Sequence, residues 1–317
     1  MSTPIYVAIP VYNGGRTIKH TLANLLCQTL QDYKVIVYDD GSTDQTEEII
    51  RGAARADSRI TIISGARNQG RGAARNCLLE AARGGIIAWQ DADDTWSPTK
   101  LAEQLDFYQA LSSKGFDQER SVVLSTFDRT VTRNGREVVT THVPPTIYDI
   151  PYVLSNSYGK CPFQLQATFG LASVYLDAGG FDPQLNWSED LDIVLKILTS
   201  GGHVAPHQCA AGLANYHHSL IAVNGDVVFK SQKIIADKYR RVASEWGVDI
   251  DDLYTRRRLN YLFSIYLENG EFAKAIYTTL SSTIGGDDQK LRTASRNLVA
   301  VFSAMIEARE GGSDPAD

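Results

Sequence analysis

Cysteine is scarce in this chain: Cys27, Cys77, Cys161 and Cys209 are the only four among 317 residues. No two lie within four positions of each other, so zinc-finger spacing is excluded, and the four are expected to be core thiols in a reducing compartment. Long apolar runs are also missing. No stretch reaches the roughly 18 residues of a membrane-spanning helix. The opening MSTPIYVAIPVYNGG lacks the basic segment and long apolar stretch of a secretory leader. The expected location is therefore the cytoplasm. Excess positive charge is absent, since 31 Lys and Arg against 37 Asp and Glu leave a net charge of −6. Nucleic acid bound over a wide surface is thereby excluded as a partner, although a local anion pocket is still allowed. No fixed-period repeat occurs, and 25 Gly with 10 Pro rule out collagen-like or Pro-rich sequence. GxGxxG and GxxxxGK[ST] are both absent, which argues against a dinucleotide enzyme or a P-loop kinase.

What is present is an ordinary core-forming composition. Apolar residues are 43% and charged residues 21%, too apolar for disorder, and the length suits one large or two modest domains. The first hundred residues alternate between two patterns. Short apolar runs at Ile5 to Ile9 (ended by Pro10), Val35 to Tyr38, Ile60 to Ile63 and Ile86 to Trp89 read as strands. Between them lie helical spacings. Ile18, Leu22, Leu25 and Leu26 form one stripe; Ile49, Ile50 and Ala53 another; Ala74, Leu78, Leu79 and Ala82 a third, in a helix from about Arg71. Ser42 with Gln45 reads as a capping box for the second helix. Ser97 and Pro98 read as the start of a fourth. This βαβαβαβα order predicts an α/β fold with a parallel sheet covered on both faces.

In such sheets ligands sit beyond the carboxyl ends of the strands. The loops after strands one, two and four read PVYNGG, DDGSTD and DADDTW, and two of the three are rich in carboxylates. Asp91, Asp93 and Asp94 within four residues repel one another. A hard divalent cation such as Mg²⁺ or Mn²⁺ would offset that; an acidic helix-capping turn is the alternative. Asp39, Asp40 and Asp44 form a second acidic loop, able to accept hydrogen bonds from a ribose hydroxyl or a base N–H. Arg71 and Arg75 open the third helix, where they would add to its N-terminal field; for Arg75 a solvated surface position is the preferred reading.

Further along, Val122 to Phe127 reads as a strand. Val131 to Val139 reads as a hairpin centred on Asn134-Gly135, and Ala167 to Ala172 as another strand. Ser188 caps a helix carrying Ile193, Val194, Ile197 and Leu198 and ended by Gly201-Gly202. From about Asn224 the pattern is helical almost throughout, and GGSDPAD closes the chain as a disordered tail.

Five segments in order, VAIPVYNGGRTIKHTLANLLCQT, VIVYDDGSTDQT, NQGRGAARN, IIAWQDADDTW and YLDAGGFDPQLNWSEDLDIVLKIL, resemble the family 2 glycosyltransferases, which have the GT-A fold. The resemblance covers about residues 4 to 200. It implies a GT-A (Rossmann-like), mainly parallel sheet with helices on both faces; the helical C-terminal region read from the residue pattern falls outside it. The implied organisation is a nucleotide-sugar-binding half over 1–98 and an acceptor-binding half over 99–223. The residue pattern adds a helical region over 224–310 and a tail over 311–317.

The same resemblance implies roles. Pro10 and Tyr12 with Asp39 would hold the nucleotide base, Tyr12 against its face. Asp40 would support that loop, Arg71 would approach the phosphates, and Asp91 would contact the ribose. Asp93 would bind Mn²⁺ or Mg²⁺ bridging the diphosphate. Asp190 would be the general base, with Glu189 as neighbour or substitute. Physical chemistry supports a carboxylate there: the acceptor hydroxyl is a poor nucleophile until it loses its proton, and the helix dipole keeps Asp190 ionised, at some cost in basicity. The implied reaction is a single displacement with inversion. It moves one sugar from a UDP-sugar, or another nucleotide-diphosphate sugar, to a carbohydrate or glycolipid acceptor in bacterial polysaccharide or glycolipid synthesis.

The chain also departs from the family pattern. Where many relatives have an arginine and a histidine, ANYHHSLIAVNGD holds His217 and His218 without the arginine. Of the two, His218 is the candidate for the diphosphate or the metal, whereas His203 and His207 read as structural. The QxxRW signature of processive synthases is absent, so one sugar per encounter is expected. Trp187 could stack on the acceptor sugar or pack in the core, Trp89 reads as core, and Trp96 could line the cleft. In the C-terminal region Arg256, Arg257 and Arg258 precede an apolar stripe, which would pack on the catalytic domain, form a homodimer or touch the inner membrane face. Two rival readings share the fold: a sugar nucleotidyltransferase, whose Gly-rich, lysine-bearing signature is missing, and a catalytically silent nucleotide-sugar-binding protein.

Overall fold

The computed structural model describes residues 3–133, 136–156, 163–218 and 225–250. The chain divides into two compact units, Met1–Ser219 and Leu220–Asp317. In the first unit the elements run β1 (Ile5–Val11), α1 (Ile18–Leu25), β2 (Lys34–Asp39), α2 (Thr46–Ala56), β3 (Ile60–Ser64), α3 (Arg71–Ala81), β4 (Ile86–Trp89), β5 (Thr95–Trp96) and α4 (Lys100–Gln109). There follow β6 (Ser121–Ser125), β7 (Phe127–Arg133), β8 (Arg136–His142), α5 (Ile150–Asn156), β9 (Thr168–Leu171), α6 (Ala172–Asp177), α7 (Glu189–Thr199), β10 (His203–His207) and β11 (Ala214–His218).

Seven strands form the main sheet in the order β10-β6-β9-β4-β1-β2-β3. Every neighbouring pair is parallel except those of β9, which runs antiparallel to β4 and β6. β4 and β6 are buried at every residue, and β2 at every residue but its first. Continuous burial of consecutive residues means that both faces are covered, since neighbouring side chains point to opposite sides. A smaller sheet, β5-β11-β7-β8, carries the hairpin between β7 and β8, which pair in register from Phe127↔His142 to Arg133↔Arg136.

The parallel α/β core agrees with the sequence pattern, and the differences have physical reasons. β1 runs through Pro10 to Val11. Pairing with β2 continues past Pro10, but pairing with β4 ends at Ala8↔Trp89, so the missing N–H of Pro10, on the β4 side, costs no ladder bond. Ser42 does not cap α2. Its hydroxyl accepts the Asn13 N–H at 2.9 Å, and the carboxylate of Asp44 takes the Thr46 N–H at 3.0 Å instead. The fourth helix begins at Lys100, after a turn over Ser97–Thr99. Ser188 precedes α7 with φ of 60° and no side-chain cap. The run predicted as one strand from Val122 is two, β6 and β7, serving different sheets. None of the three described cysteines is a core thiol: Cys27 is exposed, Cys77 and Cys209 are half-buried, and Cys161 lies outside the described residues.

In the second unit α8 (Gly225–Glu245) buries Val228, Ile235, Ala236, Tyr239 and Ala243, a helical stripe. The readings for Arg256, Arg257 and Arg258 and for the tail fall outside the described residues. No helix among the described residues is long and apolar enough to cross a membrane.

Candidate active site

The carboxyl ends of β1, β2 and β4 lie side by side, and their loops are stitched together. Asn13, with φ of 51°, accepts the Thr43 N–H through its Oδ1 at 2.8 Å. Gly15 N–H donates to Asp44 Oδ2 at 3.1 Å. Asp39 ends β2, buried, and accepts the Ser42 N–H at 3.0 Å. Asp40 is also buried. Its carboxylate takes the N–H groups of Gln69 and Gly70, both at 2.9 Å, which fastens the start of α3 to the loop after β2. Gly41 makes that junction possible: its φ is +70°, and a Cβ there would stand 2.6 Å from the Arg67 Cα. Pro10 lies half-buried at the end of β1, and Tyr12, 47% exposed, leaves its ring open to solvent beside this junction.

The centre of the site is Arg75, at 1% exposure, so its predicted surface position is wrong. One α-helical turn separates it from Arg71, and α3 packs against the sheet, which carries Arg75 inward. Its Nη1 donates to Glu189 Oε1 at 2.5 Å and lies 3.6 Å from Asp190 Oδ1, and its Nη2 donates to Asp91 Oδ1 at 3.1 Å. Burial alone would lower its pKa. Asp91, Glu189 and Asp190 together outweigh that and raise it, so the charge is permanent. Arg71 sits at the rim. It donates to the Asn186 carbonyl at 2.7 Å, lies 3.4 Å from Glu189 Oε1 and stacks over the Trp187 ring at 5.6 Å.

The adjacent acids of α7 have opposite characters. Glu189 is buried; burial would raise its pKa, but Arg71 and Arg75 hold it below the ordinary value. Asp190 keeps 24% of its side chain exposed and accepts the Leu165 N–H at 3.4 Å. Its pKa is pushed up to about 7 by loss of solvent and by the charges of Glu189 and Asp91, against the pull of Arg75. The expectation that the helix dipole would dominate is thus reversed: desolvation and like charge exceed it. Glu189 is an ion-pair anchor, and Asp190 is the acid with a proton to exchange near neutrality.

The β4 loop separates its three aspartates. Asp91 is fixed by Arg75 and by the carboxamide of buried Gln166. Asp94 turns inward to accept the His217 N–H on β11 at 2.9 Å, and its Oδ2 has no hydrogen-bond partner among the described residues. Burial, then Asp91 and Asp93, raises its pKa well above the usual carboxylate range. Asp93 presents one side to solvent. Partial desolvation and the charge of Asp91 raise its pKa, and His217 lies near enough to lower it. Crowded hard oxygen donors with depressed acidity and one orphaned buried oxygen suit Mg²⁺ or Mn²⁺, with Asp93 the freest ligand. The side chain of His218 lies outside the described ones, so that assignment has no counterpart here. Trp96 is core: it is buried, with Lys100 Nζ 3.7 Å from its ring centre.

Sequence reasoning missed Arg75 and Gln166. Spacing alone gave no signal for either, because the partners of Arg75 come from residues 16 and 114 positions away.

Comparisons with known proteins bear on the family and the fold. The profile of the glycosyl transferase family 2 matches residues 6–154. The Escherichia coli protein WfaP, a UDP-Glc:alpha-D-GlcNAc-diphosphoundecaprenol beta-1,3-glucosyltransferase, is 39% identical over 33% of this chain and 41% of its own length. TuaG of Bacillus subtilis, a putative teichuronic acid biosynthesis glycosyltransferase, is 37% identical over 32% of this chain and 41% of its own. The chain thus spans about two-fifths of the length of these curated relatives. Among solved structures, TarS 1-349 of S. aureus in complex with UDP matches with a TM-score of 0.56 at 19% identity, over 99% of this chain and 94% of that one. The mannosyltransferase PcManGT from Pyrobaculum calidifontis, in complex with GDP-Man and Mn²⁺, matches with a TM-score of 0.54 at 16% identity, over 96% and 81%.

Proposed function

Through residues 6–154 the chain belongs to the family 2 glycosyltransferases, with the GT-A fold, and on that premise we propose that it is a metal-assisted, inverting enzyme transferring one sugar from a UDP-sugar to a hydroxyl acceptor in bacterial polysaccharide or glycolipid synthesis. One observation carries the proposal. Asp190, with a pKa near 7, and Asp91, at the β4 loop, are positioned by the same buried guanidinium. A proton acceptor and a donor-binding carboxylate therefore meet at one cleft.

The residues divide the work. Tyr12 stacks on the base, Pro10 and Asp39 border it, and Asp40 holds their loop to α3. Asp91 accepts from a ribose hydroxyl, and Arg71 faces the diphosphate. Asp93 would hold the divalent cation, which would supply charge stabilisation for the leaving diphosphate. Asp190 takes the proton of the acceptor hydroxyl as its oxygen bonds to the anomeric carbon. The bond from that carbon to the diphosphate oxygen breaks, its electron pair leaves with the nucleotide, and the configuration inverts. Arg75 and Glu189 touch no reacting atom; they hold Asp190 in place. Trp187, kept upright against Arg71, offers a face to the acceptor. Support for UDP comes from the E. coli relative, which uses UDP-Glc, and from UDP in the TarS structure. The structural neighbour holding Mn²⁺ supports the cation. On this reading the site of action is the cytoplasm, and a lipid-carrier acceptor such as the one named for the E. coli relative would bring it to the inner membrane face. The halves 1–98 and 99–223 take donor and acceptor respectively.

The test is UDP release from a panel of UDP-sugars with Mn²⁺ present, followed by acceptor screening with the sugar preferred. Release from at least one donor supports the reading. A protein that binds UDP-sugars and releases no UDP from any of them is a silent binder.

A further inference from the structure

At the β10 border of the main sheet a second group of ligating side chains converges. Glu103 on α4, His207 at the end of β10 and Cys209 two residues later each offer a ligand atom, and these atoms all lie within 4.8 Å of one another. No other trio of this kind occurs among the described residues. The β10 end is three strand intervals from β4 in the sheet, about 14 Å at about 4.8 Å per interval, so the group is separate from the aspartate loop.

The spacing suits a tetrahedral ion. His207 Nε2 lies 3.5 Å from Cys209 Sγ. Bonds of about 2.3 Å to sulfur and about 2.05 Å to nitrogen, at a tetrahedral angle, put these atoms about 3.5 Å apart. One ion would span them without displacing either.

The imidazole is also oriented for it. Its Nδ1 lies 3.2 Å from Ser125 Oγ. That oxygen accepts a hydrogen bond from Gln104 Nε2 at 2.9 Å, and the same amide nitrogen donates to the Ala167 carbonyl at 2.8 Å. Gln104 Oε1 in turn accepts from the buried Lys100 Nζ at 2.7 Å. Lys100 and Gln104 therefore fix Ser125, which retains a lone pair for an Nδ1–H. With the proton on Nδ1, the free lone pair is on Nε2, the atom facing Cys209. Orientation of a ligand through its other nitrogen is the usual support of a metal-bound histidine. The Phe107 ring stacks on the imidazole at 4.3 Å and 24°, which blocks its rotation.

We propose that Glu103, His207 and Cys209 form a site for a divalent cation of the zinc class, with water in the fourth position. On binding, the ion replaces the thiol proton of Cys209, which passes to solvent. Thiolate and carboxylate then balance its two charges. A thiolate ligand selects zinc over the magnesium and manganese suited to Asp93. The bound ion ties α4 to the segment after β10.

Cobalt substitution tests this in the intact protein, because only a sulfur ligand gives a thiolate-to-cobalt absorption in the near ultraviolet. Wild type with Co²⁺ is expected to show that band, and zinc is expected to abolish it at one equivalent. Asp93→Asn should keep it and Cys209→Ser should lose it, with circular dichroism confirming both folds. Glu103→Gln, a change at an exposed helix position, should weaken zinc affinity at least tenfold. Zinc should also slow alkylation of Cys209 at least tenfold, a readout that needs no variant. Absence of the band in wild type at excess Co²⁺, its persistence in Cys209→Ser, or unchanged zinc affinity in Glu103→Gln would each overturn the site.

Discussion

Replacing Asp190 by asparagine preserves the size of the side chain and removes its capacity to take a proton. In the wild type its pKa stands near 7, against about 3.9 for an unperturbed aspartate. At 1.36 kcal/mol per unit, this is about 4 kcal/mol of preference for the protonated form, an order-of-magnitude figure. The sign for activity is direct. As the proposed base, Asp190 must be ionised to accept a proton, so the raised pKa brings the expected loss of activity on acidification up to neutral pH. About half the molecules carry the active carboxylate at pH 7 and about a tenth at pH 6, and below that turnover should fall about tenfold per unit. The variant is expected to lose about 10²- to 10⁴-fold in turnover and to show no such acid limb, while binding UDP within twofold of wild type. The assay is the initial rate of UDP release between pH 5 and pH 9, with calorimetry for UDP binding. Turnover within tenfold of wild type in the variant, or a wild-type midpoint near pH 4, would refute the assignment.

Arg75→Met leaves Glu189 buried without its closest cation and is expected to cost about 3–5 kcal/mol, read from the urea midpoint. The charge of Arg75 lowers the pKa of Asp190, so any folded fraction of this variant should show its acid limb at higher pH than wild type. Asp40→Ala removes the acceptor of two backbone N–H groups and should cost about 2 kcal/mol, with donor KM rising more than kcat falls. In Asp93→Ala, calorimetry should find UDP binding little changed without metal and no longer strengthened by Mn²⁺; enhancement equal to wild type would place the cation elsewhere.

The core of the fold was legible wherever burial forces a pattern. β4 spans the apolar run Ile86 to Trp89, because a strand covered on both faces tolerates no polar break. β5 and β11 were harder. The first has two residues, the second reads ANYHH, and neither shows a period until its neighbours are known. The places of Asp39, Asp40, Asp91 and Asp93 at strand ends were legible because the apolar runs before them mark β2 and β4. Arg75 was not, since a charged helix residue looks solvated until Glu189 arrives from 114 positions downstream. Capping by Ser42 failed for a related reason: Asn13, 29 residues earlier, claims its hydroxyl. Local grammar locates elements, while long-range competition decides what each polar group finally does.

The guanidinium of Arg75 ties α3, the β4 loop and α7 together, so the stretches around residues 75, 91 and 189 behave as one electrostatic part. This sets a limit on how such enzymes are re-engineered. Under the proposed mechanism, a chimaera that borrows a relative's acceptor segment but interrupts the pairing of Arg75 with Glu189 would gain new acceptor contacts and lose the tuning of Asp190. Grafts that bring a matched arginine and glutamate across the seam keep the chemistry while the clientele changes.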